Sequence, residues 1–350
     1  MKVLLILDHA PDYRESFLRE LSNHVSLTVG AQPCEQDGLA APDRSNDYTY
    51  VDLPSRRFMG IFWQPHLEAI LLSEKWDVIC CDFNLRHFAR LFYFLKYRRL
   101  HQRWIWRGLI FGSNKNAAIN AVRKFFLKGS AACLVYSDEV AEKIKEDFGL
   151  SAVSFNNTEV KQDEFRKGFF DNHNELRLLF VGTFKPRKQI GRLVALAQRR
   201  SDVHVRVVGP GMEQLDLPVE LKAMDRITIL DRTTGQALNR HFDWADLVVS
   251  PGNVGLLVMN AARHGKGIVV DNNSYHGPEH WLAKKAGQPF ISFGSANDVD
   301  EFIQKVMNNR ELLQQWAEQL QNLAKEKYTV EYMVQAHYQT FKAVAATTHA

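Results

Sequence analysis

Short, nearly continuous apolar runs alternate along this chain with longer segments whose apolar residues recur at helical spacing. Lys2–Leu7, Val25–Val29, Trp76–Cys81, Trp104–Ile110, Ala132–Tyr136 and Ala152–Phe155 are predicted strands. Between them the spacing predicts helices over Tyr13–His24, Gln64–Glu74, Leu85–Gln102, Ala117–Lys128 and Ser137–Phe148. Residues 31–48, rich in Asp, Pro and Gly, predict a loop. After a polar, charged interval at Asn156–Glu175 the alternation restarts. Strands are predicted at Leu176–Val181, His204–Val208, Ile227–Leu230, Asp246–Val249 and Gly267–Val270, with a helix over Ile190–Arg199. Two or three amphipathic helices close the chain from Asp298 to Val344.

Strands that alternate with helices argue for parallel, doubly wound sheets. Two such units in tandem make an α/β protein of two lobes with a cleft between them. The boundaries are set at 1–165 and 166–330, with 331–350 as a C-terminal helix that packs back toward the first domain. The length of 350 residues accommodates two cores of ordinary size.

Composition narrows the class. A hydrophobic content of 45% beside 24% charged residues is that of a soluble globular chain. No apolar run approaches the roughly 18 residues that span a bilayer. The start, MKVLLILDHAPDYRESF, has too short an apolar core for a signal peptide and reads as a first strand. Cys34, Cys80, Cys81 and Cys133 lack metal-ligand or disulfide spacing, so they are expected to be reduced core thiols in a cytoplasmic protein.

Net charge is only +4, but it is unevenly spread. From Phe83 to Ser137 there is no Asp or Glu, against eleven Lys and Arg interleaved with aromatics. This stretch is either a solvated helix face with core aromatics or a peripheral contact, through residues 83–128, with the anionic inner membrane. A nucleic-acid role is disfavoured, because no recognised binding module surrounds it.

Chemistry concentrates in the second half. Ser250–Glu279 leaves a strand through Pro-Gly, runs into a short helix-like stretch and re-enters a strand. Loops of this kind direct backbone N–H groups at an anion, at the strand edge where open α/β sheets bind ligands. Phe180-Val-Gly-Thr-Phe-Lys-Pro-Arg-Lys188, Val207-Val-Gly-Pro-Gly211, Ile229-Leu-Asp-Arg232, Gly255-Leu-Leu-Val-Met-Asn-Ala-Ala262 and Pro278-Glu279 follow in order. Together they resemble glycosyltransferase family 4, of the GT-B fold with two Rossmann-like domains. The string Pro-Gly-Asn-Val-Gly-Leu is similar to a bacterial surface-polysaccharide branch of that family.

The resemblance implies a retaining, metal-independent transfer from a nucleotide-sugar donor to a lipid-linked or oligosaccharide acceptor, in O-antigen, capsule or exopolysaccharide synthesis. No cofactor is expected beyond the donor as co-substrate, and no metal. Gly182, Thr183, Arg187 and Lys188 correspond to the diphosphate loop. Thr183 stands where the family has Arg, so Arg187 is expected to supply the second positive charge. Gly211, Arg232, Asn253, Val254, Gly255, Leu256, Asn260 and Glu279 correspond to nucleotide and sugar contacts. The family's two glutamates, eight positions apart, are replaced here by Gly252 and Asn260. Tyr13, Arg14, Asn84, Arg86 and Arg107 are expected on the acceptor side; the branch's His near Trp-x-x-Gly is absent, and Arg107-Gly108-Leu109 stands there. No catalytic residue is assigned. Two other readings stay open: a degenerate GT-B protein that serves as a binding partner, and a nucleotide-sugar epimerase on the same fold.

Overall fold

The computed structural model describes residues 1–34, 43–44, 46–111, 116–171, 173–211 and 225–349. Much of the predicted loop over 31–48 lies outside them. The chain divides into two compact units, Met1–Glu159 with Val330–Ala350, and Val160–Thr329.

In the first unit the order is β1 (Lys2–His9), α1 (Glu15–Ser22), β2 (Ser26–Gln32), β3 (Thr49–Asp52), β4 (Arg56–Phe58), β5 (Ile61–Trp63), α2 (Leu67–Leu72), β6 (Val78–Asp82), α3 (Phe88–Lys96), β7 (Trp104–Gly108), α4 (Ala117–Lys128), β8 (Ala132–Val135), α5 (Asp138–Phe148) and β9 (Val153–Ser154). Seven of these strands form one parallel sheet in the order β3-β2-β1-β6-β7-β8-β9, while β4 and β5 pair antiparallel as a separate hairpin. The second unit runs β10 (Leu176–Val181), α6 (Gly191–Arg199), β11 (Val203–Val208), β12 (Ile227–Leu230), α7 (Gly235–Trp244), β13 (Leu247–Ser250), α8 (Leu257–Arg263), β14 (Ile268–Asp271), α9 (His280–Lys285), β15 (Phe290–Ile291), α10 (Ala296–Asn308) and α11 (Glu311–Lys327). Its six strands form a parallel sheet in the order β12-β11-β10-β13-β14-β15. The last helix, α12 (Val330–His349), belongs with the first unit.

The apolar runs are continuous because each central strand is covered on both faces. In the first sheet Leu4, Ile6, Ile79 and Cys81 point into one core, and Val3, Leu5, Val78 and Cys80 into the other. The second core is closed by α1 and α12 through Phe17, Leu18, Leu21, Met333, Val334 and Phe341. All four cysteines are buried, and burial pushes the Cys133 thiol up to about 12, so these groups pack rather than react.

One predicted helix is shorter than the pattern suggests. Leu85–Gln102 resolves into α3 and a 3-10 turn over Arg98–Arg103, separated at Tyr97. The His101 ring stacks on Phe94 at 3.9 Å, and its Nε2–H donates to the Phe94 carbonyl at 2.8 Å. That bond satisfies a carbonyl at the helix end, so the chain can turn away there. The predicted basic face is also thinner than its count, since Arg90, Arg107 and Arg123 are buried.

Phe341 is fully buried between α1 and the first sheet's core. Phe341→Ala is expected to destabilise the first unit by about 3–5 kcal/mol. Denaturant unfolding, followed by a probe in that unit, checks this; a loss under 1 kcal/mol, by the same rough scale, would mean α12 packs loosely.

Candidate functional site

In each sheet the strand order reverses once, between β1 and β6 in the first and between β10 and β13 in the second. The loops leaving the carboxyl ends of such strands part there and leave a crevice. Several of the residues singled out in the sequence gather at these two places.

In the second unit, β10 ends at Val181 and the chain turns through Gly182, whose φ of +154° lies in glycine territory. A Cβ on the neighbouring Gly209 would sit 2.1 Å from the Gly182 carbonyl oxygen, so both loops need glycine to pass. Thr183 and Arg187 are exposed, and a single 3-10 turn over Pro186–Lys188 brings the chain back across the end of β13. There the contact is backbone on backbone. A Cβ on Gly252 would meet the Arg187 carbonyl oxygen at 2.5 Å and the Lys188 carbonyl at 2.8–2.9 Å. The Asn253 N–H donates to that same Arg187 oxygen at 2.9 Å.

This crossing seats Lys188. Its Nζ donates to the Asn253 carbonyl at 2.8 Å, and to Asn253 Oδ1 at 3.4 Å. Burial, with Arg187 and Lys185 adding like charge, pulls the ammonium down to about 8, against a pull upward from Glu279. An amine so placed gains by acquiring an anion.

The next turn is held by groups the sequence reading missed. Asn253 Nδ2 donates to the Tyr275 carbonyl at 2.5 Å, and the Gly277 N–H to the Val254 carbonyl at 2.9 Å. The Val254 N–H donates to His276 Nδ1 at 3.2 Å, while His276 Nε2–H donates to the Asp271 carbonyl at 2.7 Å. That pairing requires a neutral imidazole, and burial depresses its pKa accordingly. Asp271, buried at the end of β14, accepts from Ser274 Oγ at 2.6 Å, from the Phe293 N–H at 3.0 Å and from Arg192 at 3.3 Å. Arg192 also donates to the Pro251 carbonyl at 2.8 Å, joining the ends of β13 and β14. The signals were a His two residues before Pro278 and an Asp closing an apolar strand. Neither is distinctive without its partner.

Glu279 is buried against Gly255 and Gly277; a Cβ on Gly277 would meet its Oε2 at 2.5 Å. Asn260 lies one turn into α8, with Nδ2 directed back to the Leu256 carbonyl at 3.4 Å. Gly211 follows β11 with φ of +99°, and Arg232 follows β12 on an exposed turn. The structure therefore brings Arg187, Lys188, Gly252 and Asn253 into contact, and Val254 and Gly255 beside Gly277 and Glu279. Arg232 and Gly211 sit on neighbouring strand ends.

In the first unit a pocket of about 680 Å³ opens at the switch between β1 and β6, lined in part by Asp8, Asp82, Asn84, Arg86, Arg107 and Tyr136. Asp82 accepts from the Asp8 N–H at 2.9 Å and from Arg107 at 2.6 Å. Arg90, fully buried, pairs with Asp8 and donates to the Asp82 and Leu7 carbonyls and to Gln64 Oε1 at 2.9–3.0 Å. Burial opposes ionisation of Asp8, but Arg90 outweighs it and holds the carboxyl below its usual range. Arg107 is buried, its Nε donating to His337 Nε2 at 3.0 Å and its guanidinium stacked over Phe155 at 4.6 Å. Of the residues expected on the acceptor side, Asn84, Arg86 and Arg107 line this pocket. Arg14 is buried and reaches it only through the Tyr136 hydroxyl at 3.4 Å, and Tyr13 lies on the surface.

Gly252→Ala is expected to lift the Arg187–Lys188 turn off β13. Hydrogen exchange should quicken at Lys188 and Asn253 while β10 and β13 stay protected. Unchanged protection at both amides would mean the close approach yields without cost.

Residues 161–323 match the family model described as Glycosyl transferases group 1. No curated protein matches the chain in sequence. Among solved structures the chain is similar to sucrose-phosphate synthase from Thermosynechococcus elongatus, at 14% identity and a TM-score of 0.71 over 99% of this chain and 100% of that one. It is similar to HepE from Anabaena in complex with UDP-glucose, at 14% identity and a TM-score of 0.66 over 99% and 100%. A putative UDP-N-acetylglucosamine 2-epimerase from Listeria monocytogenes gives 12% identity and a TM-score of 0.60 over 95% and 94%. Identities this low speak to fold. Residues 161–323 thus resemble the Glycosyl transferases group 1 family, and the two parallel α/β units have the fold of the GT-B glycosyltransferases; together these support a GT-B glycosyltransferase.

Proposed function

We propose that this protein is a retaining, metal-independent glycosyltransferase, family 4-like, that moves a hexosyl-type sugar from a nucleotide donor to a lipid-linked or oligosaccharide acceptor in bacterial polysaccharide synthesis. The observation that carries it is Lys188, half-buried, fixed by the Asn253 carbonyl and with its pKa lowered to about 8. When the bond from the anomeric carbon to the diphosphate breaks, negative charge builds on the departing oxygen. A preset ammonium in a partly dry site stabilises that charge without reorganising. Arg187 adds a second, permanent positive charge from the exposed side of the same turn.

Base recognition falls to the strand ends around Gly211 and Arg232. Ribose and sugar contacts fall to Asn253 through Leu256, Asn260 and Glu279. Asn260 can donate and accept, but without charge its bond is weaker than a carboxylate's by about 1 kcal/mol. Where the family has an acid, Gly252 contributes only backbone, since the Arg187 carbonyl already fills the space of a side chain. HepE has been crystallised with UDP-glucose, which makes UDP-sugars the first donors to test.

The first unit's pocket is assigned to the acceptor, with Asn84, Arg86 and Arg107 in its wall, and Tyr13 and Arg14 at or behind its margin. Asp8 is held ionised by Arg90 and is a weak proton acceptor, which supports a transfer driven by leaving-group stabilisation and positioning rather than by a strong base. A cytoplasmic enzyme in peripheral contact with the inner membrane fits such an acceptor; among the described residues no helix is long and apolar enough to cross one.

Lys188→Ala is expected to abolish transfer and donor hydrolysis, with the melting temperature retained. Wild-type turnover in that variant would remove the phosphate assignment. A panel of nucleotide sugars separates the rival readings: a degenerate binding protein would be stabilised without consuming donor, and an epimerase would isomerise the free donor with no acceptor present.

Affinity for a nucleoside diphosphate should also depend on pH in a defined direction. The free lysine loses its proton as pH rises through about 8, and the diphosphate prefers the charged form. Affinity is therefore full below that value and falls above it, by at most about tenfold per unit. Lys188→Arg should flatten the fall, which titration calorimetry at several pH values reads directly. A wild-type profile as flat as the arginine variant's would count against Lys188 as the ligand.

A further inference from the structure

We propose that the β4–β5 hairpin is the element by which this protein engages an anionic lipid surface, its apolar tip seated just beneath the headgroups at the boundary with the acyl chains. The proposal rests on the reading of a transferase with a lipid-linked acceptor, and it centres the membrane contact on the hairpin and the start of the basic stretch rather than on the whole of residues 83–128.

The hairpin pairs Arg56 with Trp63, Arg57 with Phe62 and Phe58 with Ile61, leaving a two-residue turn of Met59 and Gly60. Both turn residues have positive φ, +46° and +82°. Such turns favour Asn-Gly, because a larger first residue is strained there. This one holds methionine instead, 87% exposed, beside Phe58 at 76% and Ile61 at 47%. A Cβ on Gly60 would touch nothing within 4 Å, so the tip stands clear of the unit. Strain that presents a large apolar side chain to water is unfavourable twice over unless something covers it.

The base, by contrast, is pinned. The Phe62 N–H donates to the Arg86 carbonyl at 2.7 Å, and the Phe62 ring stacks on His87 at 4.9 Å. Trp63 packs on Phe92 and Tyr93 at 5.7 and 5.8 Å. Beyond Trp63, α3 continues the apolar surface with exposed Phe88, Phe92 and Leu95.

Charge names the partner. No Asp or Glu occurs from Leu53 to Leu67. Exposed Arg56, Arg57 and Arg86 surround the aromatic residues, with the last two guanidinium groups 5.8 and 5.7 Å from the Phe62 ring centre. An apolar wedge collared by arginines matches the depth profile of a phospholipid interface, acyl chains inside and phosphates outside. By comparison, the stretch from 83 to 128 has buried Arg90, Arg107 and Arg123, and pairs Lys96 with Glu68.

The native cysteines are all buried, so Met59→Cys can be labelled selectively with an environment-sensitive fluorophore. The full chain is then mixed with vesicles of equal parts phosphatidylcholine and phosphatidylglycerol, or of phosphatidylcholine alone. The label should shift to the blue with the anionic vesicles and be quenched by brominated acyl chains. Phe58→Ser with Met59→Asn, which suits the turn, should lower vesicle partitioning about tenfold or more, with unchanged melting and donor hydrolysis. A silent label on vesicles that sediment the wild type would overturn the assignment, and so would a wild type that fails to sediment or a label that shifts only on adding a protein partner. Donor hydrolysis on the same preparations reports the transferase reading independently: its absence in the wild type defeats that reading, whatever the vesicles show.

Discussion

Backbone pressed against backbone over residue 252 fixes the chemistry of the second unit. Because the Arg187 and Lys188 carbonyls lie where a side chain would begin, the turn after β10 and the turn after β13 behave as one body. Lys188 inherits its position from that body rather than from contacts of its own long, flexible stem. The entropy normally lost in fixing a lysine is largely met by the fold. The same closeness leaves no room for a side chain at residue 252, so the bare glycine and the seated ammonium follow from one steric fact.

The two switch points solve different electrostatic problems. At the first, the charges are spent internally: Asp8 on Arg90, Asp82 on Arg107, with His337 kept neutral by burial and by Arg107 beside it. Breaking one such partner would strand the other in a dry place, so the cluster makes a stiff floor for the pocket above it. At the second, the ammonium's hydrogen-bond acceptors among the described residues are neutral carbonyl and amide oxygens, and Glu279 acts on its charge without a hydrogen bond among those residues. One crevice holds its charges in pairs, the other holds a cation on neutral oxygens.

The sheets were legible because parallel strands covered on both faces leave continuous apolar runs, and Leu176–Val181 or Ile227–Leu230 can be read residue by residue. The candidate loops were legible as motifs, and Gly252 as a departure. The reason for that departure was hidden, because it depends on residue 187 meeting residue 252 across a crossover. The bond between Arg107 and His337 was hidden for the same reason. The hairpin escaped notice because its turn is Met-Gly rather than Asn-Gly, and because strands of three residues leave no measurable period. The break at Tyr97 depends on a histidine ring capping a carbonyl, which composition does not announce.

The placement of α12 has a consequence for how the chain comes to be folded. Residues 1–159 leave the ribosome with a nearly complete sheet, yet the helix that closes over Phe17, Leu18 and Leu21 is separated from them by all of residues 160–329. At a translation rate of roughly 5–20 residues per second, that interval lasts on the order of ten seconds or more. For that time an apolar face of the first unit stands open, while the second unit can already assemble. The first half of the chain to be made is thus the last to be finished.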